Sequence, residues 1–190
     1  MDSTMLIVAV IVFLGIVFFL YNLYAKVIMC ANSVREALSG IDVQLKKRYD
    51  LIPNILTIAK KFMEHEKNIF EKITELRTTA MNEKLGSSQK FEAEAKLEAQ
   101  LKSLIVNVEN YPALKSDATM VQAMETYNEV EEHISAARRF YNSALTQLRN
   151  TIQIFPGSLF AKYAGETASF SYFEADTAVR TPIKASDYLD

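Results

Sequence analysis

Ser3-Thr-Met-Leu-Ile-Val-Ala-Val-Ile-Val-Phe-Leu-Gly-Ile-Val-Phe-Phe-Leu-Tyr-Asn-Leu-Tyr-Ala25 runs for 23 residues without a charge. As a helix rising ~1.5 Å per residue it spans roughly 34 Å, enough for a hydrocarbon layer of ~30 Å. Tyr21 and Tyr24 stand at its far edge, where amphipathic rings favour the membrane boundary, and Lys26 closes it. A cleaved leader fits less well. Asp2 replaces the usual basic cluster, the apolar run is long, and no small-x-small cleavage pattern follows. The segment therefore reads as an anchor covering residues 1–25.

The rest of the chain is richly charged. Residues 26–61 carry a net +4 and residues 62–190 a net −5; with Asp2 the whole chain sits at −2. That balance excludes a nucleic-acid binder, which would show a basic excess. A basic entry beside an anchor suits a membrane-proximal domain, since anionic headgroups attract Lys and Arg, although such charges equally serve a solvated helix face. Lys26, Arg35, Lys46, Lys47 and Arg48 follow the anchor and no Lys or Arg precedes it, so the positive-inside rule places the domain in the cytoplasm of a single-pass protein. The single cysteine, Cys30, rules out an intrachain disulfide and shares a stripe with Val27 and Val34, as a small buried residue would.

Helical periodicity continues past the anchor. Val27, Cys30, Val34, Ala37 or Leu38, Ile41 and Leu45 form one apolar seam, and Ile52-Pro53 is expected to end that helix. A second helix is expected from Pro53, with His65 on its apolar stripe between Phe62 and Ile69. Residues 82–90, centred on Gly86-Ser87-Ser88, are expected to be a loop. A third helix carries Glu94, Leu97, Leu101, Leu104 and Val108 on one face and breaks at Tyr111-Pro112. Ser116 or Asp117 is a suitable N-cap for a fourth, running from Met120 to Phe155 with helical spacing throughout. The fold class is all-α: an anchor helix continuing into an antiparallel up-down bundle of about four long helices, coiled-coil-like in its packing, over residues 26–164. A tail at 165–190 loses the periodicity; Phe170, Tyr172 and Phe173 stand out in it, and Thr181-Pro182 and Ser186-Asp187 suggest a mobile end.

Up-down topology returns the fourth helix to the bilayer. There Phe155, Leu159, Phe160, Lys162 and Tyr163 offer apolar and aromatic groups with one cation. They either rest on the headgroups or cap the open end of the bundle. Polar residues form a second candidate group: Asp42, Arg48 and Asp50 on the first helix, His65 on the second, and Arg139 and Asn142 on the fourth, with an Arg–Asp pair holding helix register.

Signals for catalysis are weak. The chain has no Gly-rich phosphate loop, no nucleophile elbow and no Cys cluster. The Glu-x-x-His spacing of a di-metal carboxylate site fails at both histidines, because Phe62 precedes His65 and Val130 precedes His133 by three. His65-Glu66 starts a zinc-protease pattern, yet Ile69 fills the second His position. His65 reads as a core histidine with satisfied nitrogens rather than a pH sensor.

The run Ile41-Asp-Val-Gln-Leu-Lys-Lys-Arg-Tyr-Asp-Leu-Ile-Pro-Asn54, with His65-Glu66, Tyr111-Pro-Ala-Leu-Lys115, Arg139-Phe-Tyr-Asn142 and Phe155-Pro156, resembles the LemA family of bacterial membrane proteins, over the anchor through Phe155. The resemblance implies an N-terminal transmembrane helix, a helical bundle, no established catalytic activity and no cofactor. It also points to partners in the envelope, since genes of the family often neighbour those of membrane proteases or other membrane proteins. Two departures are visible: Gly157-Ser158 stands where the family usually has Ser-Asn, and the tail beyond Ala164 matches weakly. The expected function is a membrane-anchored scaffold or adaptor, not an enzyme. Its partners would be the lipid bilayer and either further copies of itself or another membrane protein. The contrasting expectation is a ligand or metal sensor, or an enzyme, built on His65 and neighbouring carboxylates.

Overall fold

The computed structural model describes residues 3–82 and 87–173. It holds α1 (Ser3–Ala59), α2 (Lys67–Ala80), α3 (Ser87–Val108), a single turn α4 (Pro112–Lys115), α5 (Ala118–Gln153) and a 3-10 segment (Gly157–Ser169). Among the described residues there is no strand, and the fold is all-α.

The chain divides into two compact units. Unit one comprises residues 3–44 and 134–170; unit two comprises residues 45–133 with the described residues from Ser171 onward. The long helices α1 and α5 each contribute to both.

In unit one the apolar start of α1 is exposed along its length, with Phe13 at 65% and Phe18 at 69%. It is one helix long and apolar enough to cross a membrane. Beyond it the expected seam is buried: Val27, Cys30, Ala31, Val34, Ala37 and Ile41 face inward. Burying such a side chain removes apolar area from water at roughly 25 cal/mol per Å². Against this seam α5 brings Ile134, Tyr141, Leu145 and Leu148, all buried. Cys30 Sγ lies 3.7 Å from Thr151 Oγ1, and Tyr24, earlier in α1, meets Tyr163, later than Thr151, so the paired helical segments run antiparallel.

In unit two, α2 packs along α3. Ile73, Leu76 and Ala80 of α2 and Leu97, Leu101 and Leu104 of α3 are buried, as are Leu45, Ile52, Ile55 and Leu56 of α1. From α5, Met120, Ala123, Tyr127 and Val130 complete the core. Asp117 caps α5: its Oδ1 accepts from the amides of Thr119 and Met120, both at 3.0 Å, which satisfies two of the donors a helix start leaves free.

Three boundaries differ from the sequence-based expectation. Pro53 does not end α1, which continues to Ala59; the break falls at residues 60–66. Proline removes one amide donor and crowds the carbonyl four residues back, here that of Tyr49. Arg77 Nε of α2 donates to that carbonyl at 2.8 Å, so the freed acceptor is filled from a neighbouring helix. Pro53 itself faces solvent, where its ring displaces nothing. Second, α3 begins at Ser87, inside the stretch expected to be a loop. Third, the tail expected to lose periodicity from 165 starts inside a regular stretch: residues 157–169 wind as a 3-10 segment interrupted at Gly165, whose φ of 63° and ψ of −144° suit glycine. Thr181-Pro182 and Ser186-Asp187 lie outside the described residues.

Candidate functional sites

Unit one carries an aromatic corner where α5 gives way to the 3-10 segment. The Phe155–Pro156 peptide is cis. The next residue, Gly157, is buried, and a Cβ there would stand 2.0 Å from the Thr151 carbonyl oxygen. Glycine permits that approach, and a side chain there would force the turn to shift. From Gly157 the segment turns at about three residues per turn and so sorts its side chains onto faces. Ala164 and Thr167 face inward, and Phe160 is half-buried. Leu159 and Tyr163 face out at 62% and 44%, next to Ile154 and Phe155 at 64% and 76%. Arg149 Nη2 donates to the Phe170 carbonyl at 2.8 Å and fastens the end of the segment to α5.

The corner joins the last turn of the apolar helix. Tyr24 meets Tyr163 edge-on with ring centroids 5.0 Å apart and meets Phe160 at 6.3 Å, geometries that suit the ring quadrupole. Lys162 Nζ lies 5.0 Å from the centre of the Tyr163 ring. An open groove runs between Leu23 and Lys26 of α1 and Asn150, Ile154 and Phe155 at the end of α5. Of the five residues read as a membrane-surface group, Phe155, Leu159, Lys162 and Tyr163 are exposed, whereas Phe160 is partly used as packing.

Unit two contains a buried polar network. Arg48 is wholly inaccessible and Glu94 nearly so, and the Arg48 guanidinium donates to the Glu94 carboxylate. Its Nη1 donates to Glu131 Oε1 at 3.1 Å, from a carboxylate side chain 24% exposed. Tyr49, the next residue of α1, donates its hydroxyl to Glu94. Tyr127 hydrogen-bonds Glu131; burial, then the Glu131 charge, push its phenol well above the ordinary tyrosine range. With Arg77 on the Tyr49 carbonyl, each of α1, α2, α3 and α5 supplies at least one member. The two fully enclosed charges, Arg48 and Glu94, compensate each other, and Glu131 and Arg77 are only partly buried. Such a network contributes little net stability relative to apolar packing, but it fixes which helix faces meet.

The polar residues expected to cluster do not gather here. Arg48 alone of them is buried. Asp42 and Asp50 are exposed, and Asp50 pairs with Lys46 one turn away at 3.2 Å. Arg139 is exposed on Ser135, and Asn142 is half-buried in unit one. His65 lies exposed in the turn after α1, not on a buried stripe, because the break at residues 60–66 takes it out of helical register. The partners of Arg48 are glutamates, not an aspartate. Glu94 was legible, since it sits three residues before Leu97 on an otherwise apolar face; Glu131, beside Val130 at the edge of its stripe, had no such mark. Among the described residues no three His, Cys, Asp or Glu side chains are grouped to hold a metal ion.

Helices that pair an exposed apolar span with a packed bundle define a membrane-associated helical protein as the class this chain fits. The family model of the LemA family matches residues 37–186, most of the chain, and the chain belongs to that family. The match begins beyond the apolar segment and continues through the tail that the sequence resemblance covered weakly. No curated protein matches the chain.

Proposed function

We propose that this protein is a membrane-anchored scaffold: α1 crosses the bilayer once, and the folded helices present a docking body to other copies of the chain or to another membrane protein, without catalysis. The observation that carries the reading is the two-fold use of α1. Its first 23 residues expose a continuous apolar surface, and the same helix goes on to bury Val27, Val34 and Ile41 in unit one and Arg48 in unit two. An apolar surface of that extent in water would drive aggregation, and lipid is the medium that removes the cost. Lys26, Arg35 and the Lys46-Lys47-Arg48 run favour a cytoplasmic body.

Membranes from cells making the full chain, washed in alkaline carbonate, should retain it. Protein extracted in lipid nanodiscs should then run as a defined multi-copy particle or as a stoichiometric complex with one other membrane protein. Release by carbonate would overturn the anchor, and a monodisperse, partner-free monomer would overturn the scaffold. A cysteine placed at exposed Lys102 should react with an impermeant maleimide only after the cells are opened.

A further inference from the structure

We propose that the corner formed by residues 154–163 sits in the lipid headgroup layer beside the span, giving unit one a second foothold on the bilayer. This rests on α1 being a membrane span. Three observations carry it, the first being shape. Outside the span, exposed large apolar residues such as Met29, Val43, Val106 and Phe140 occur singly, which is ordinary for a protein surface. Ile154, Phe155, Leu159 and Tyr163 instead occur together, on one turn and the segment that leaves it.

Continuity is the second. Tyr24, in the last turn of the apolar run, packs on Tyr163 and Phe160, while Leu23 and Lys26 share a groove with Ile154 and Phe155. A span that ends in the headgroup layer at Tyr21 and Tyr24 therefore brings the corner to the same depth, where aromatic rings and lysine stems are at home.

Charge is the third. The sequence has no Asp or Glu from Ser3 to Arg35 or from Tyr141 to Gly165, but it places Lys26, Arg35, Arg149 and Lys162 in those stretches. Arg149 is engaged on the Phe170 carbonyl; Lys26 and Lys162 are exposed. Glu166 is the first acid beyond the corner. Apolar side chains flanked by cations, with acids absent, match phospholipid phosphates above acyl chains, anionic lipids included.

The chain has no tryptophan, so single Trp substitutions report depth in the full-length protein. Four variants suffice: Phe155→Trp and Leu159→Trp in the corner, Phe13→Trp in the span, and Phe140→Trp, which is exposed about 22 Å back along α5. Each is reconstituted in phosphatidylcholine–phosphatidylglycerol vesicles containing lipids brominated at shallow or at deep acyl carbons. The corner tryptophans should be blue-shifted and should lose more intensity to shallow bromines than to deep ones. Phe13→Trp should be quenched by deep bromines, and Phe140→Trp by neither. Unquenched corner tryptophans alongside a quenched span tryptophan would overturn the foothold and leave the anchor standing; if they were also blue-shifted, protein covers that face instead. An unquenched Phe13→Trp would overturn anchor and foothold together.

Discussion

Arg77 stands in for the amide hydrogen that Pro53 lacks. The Tyr49 carbonyl, which loses its helical donor to the proline, receives Arg77 Nε from α2 at 2.8 Å. A hydrogen bond from a charged group to an otherwise orphaned acceptor is worth about 1.5–3 kcal/mol. Arg77→Met should lower stability by about that amount in denaturant unfolding followed by circular dichroism. In a Pro53→Ala background the backbone supplies its own donor, and the same substitution should cost distinctly less. Equal costs in both backgrounds would show that the two residues are not coupled.

Arg48 cannot be removed alone. Truncation to Met would leave the Glu94 carboxylate almost fully buried with the Tyr49 hydroxyl as its remaining partner. Breaking a buried pair in this way costs about 3–5 kcal/mol. Replacing Arg48, Tyr49 and Glu94 together with Met, Phe and Leu should recover most of the loss, because Glu131 is partly exposed and can turn to water. Unfolding midpoints of the single and triple variants separate a network that specifies packing from one that supplies stability.

The cap of α5 and the Tyr127 phenol respond to opposite ends of the pH scale. The Thr119 hydroxyl, then the Met120 amide, hold the Asp117 carboxyl below the usual carboxylate range. Its contribution is present above the unfolded carboxylate value and is lost as pH falls through the lowered one. Tyr127 is raised, so its contribution is complete below the unfolded phenol value and fades as pH climbs toward the folded one. Carbon-13 titration should show Asp117 changing below the ordinary aspartate range. Ultraviolet titration should show Tyr127 staying protonated well above the ordinary tyrosine range. Asp117→Asn should remove the acid-side dependence of amide exchange in the first turn of α5.

Gly157 has no room for a side chain. Gly157→Ala places a methyl against the Thr151 carbonyl and should cost about 1–3 kcal/mol, the range for overpacking a close contact. Thermal unfolding would report it. An unchanged midpoint would mean that the turn after Pro156 yields without strain.

Much of the fold was legible because its core is periodic. The seam from Val27 to Leu45 is buried almost as spaced, and so is that from Met120 to Leu148. Local signals mislead where another helix intervenes. Ile52-Pro53 reads as a stop because nothing near it in sequence reveals that Arg77 fills the gap. That shift of the break carried His65 off its expected stripe and into an exposed turn. Of the group after Phe155, Phe160 and Tyr163 lie against Tyr24, as a last helix that returns to the start of the bundle requires. The buried network was half visible: Arg48 lay in the quoted run and Glu94 on an apolar face, but pairing across helices is a tertiary fact that spacing along one chain does not encode.

The bond between Arg77 and the Tyr49 carbonyl also sets an order of events during synthesis. The ribosome releases residues 49–59 before it releases residue 77, so for that interval the Tyr49 carbonyl lacks the donor that Arg77 brings. The hydrogen bonding of α1 is thus completed by a neighbour that did not yet exist when its own last turns were made.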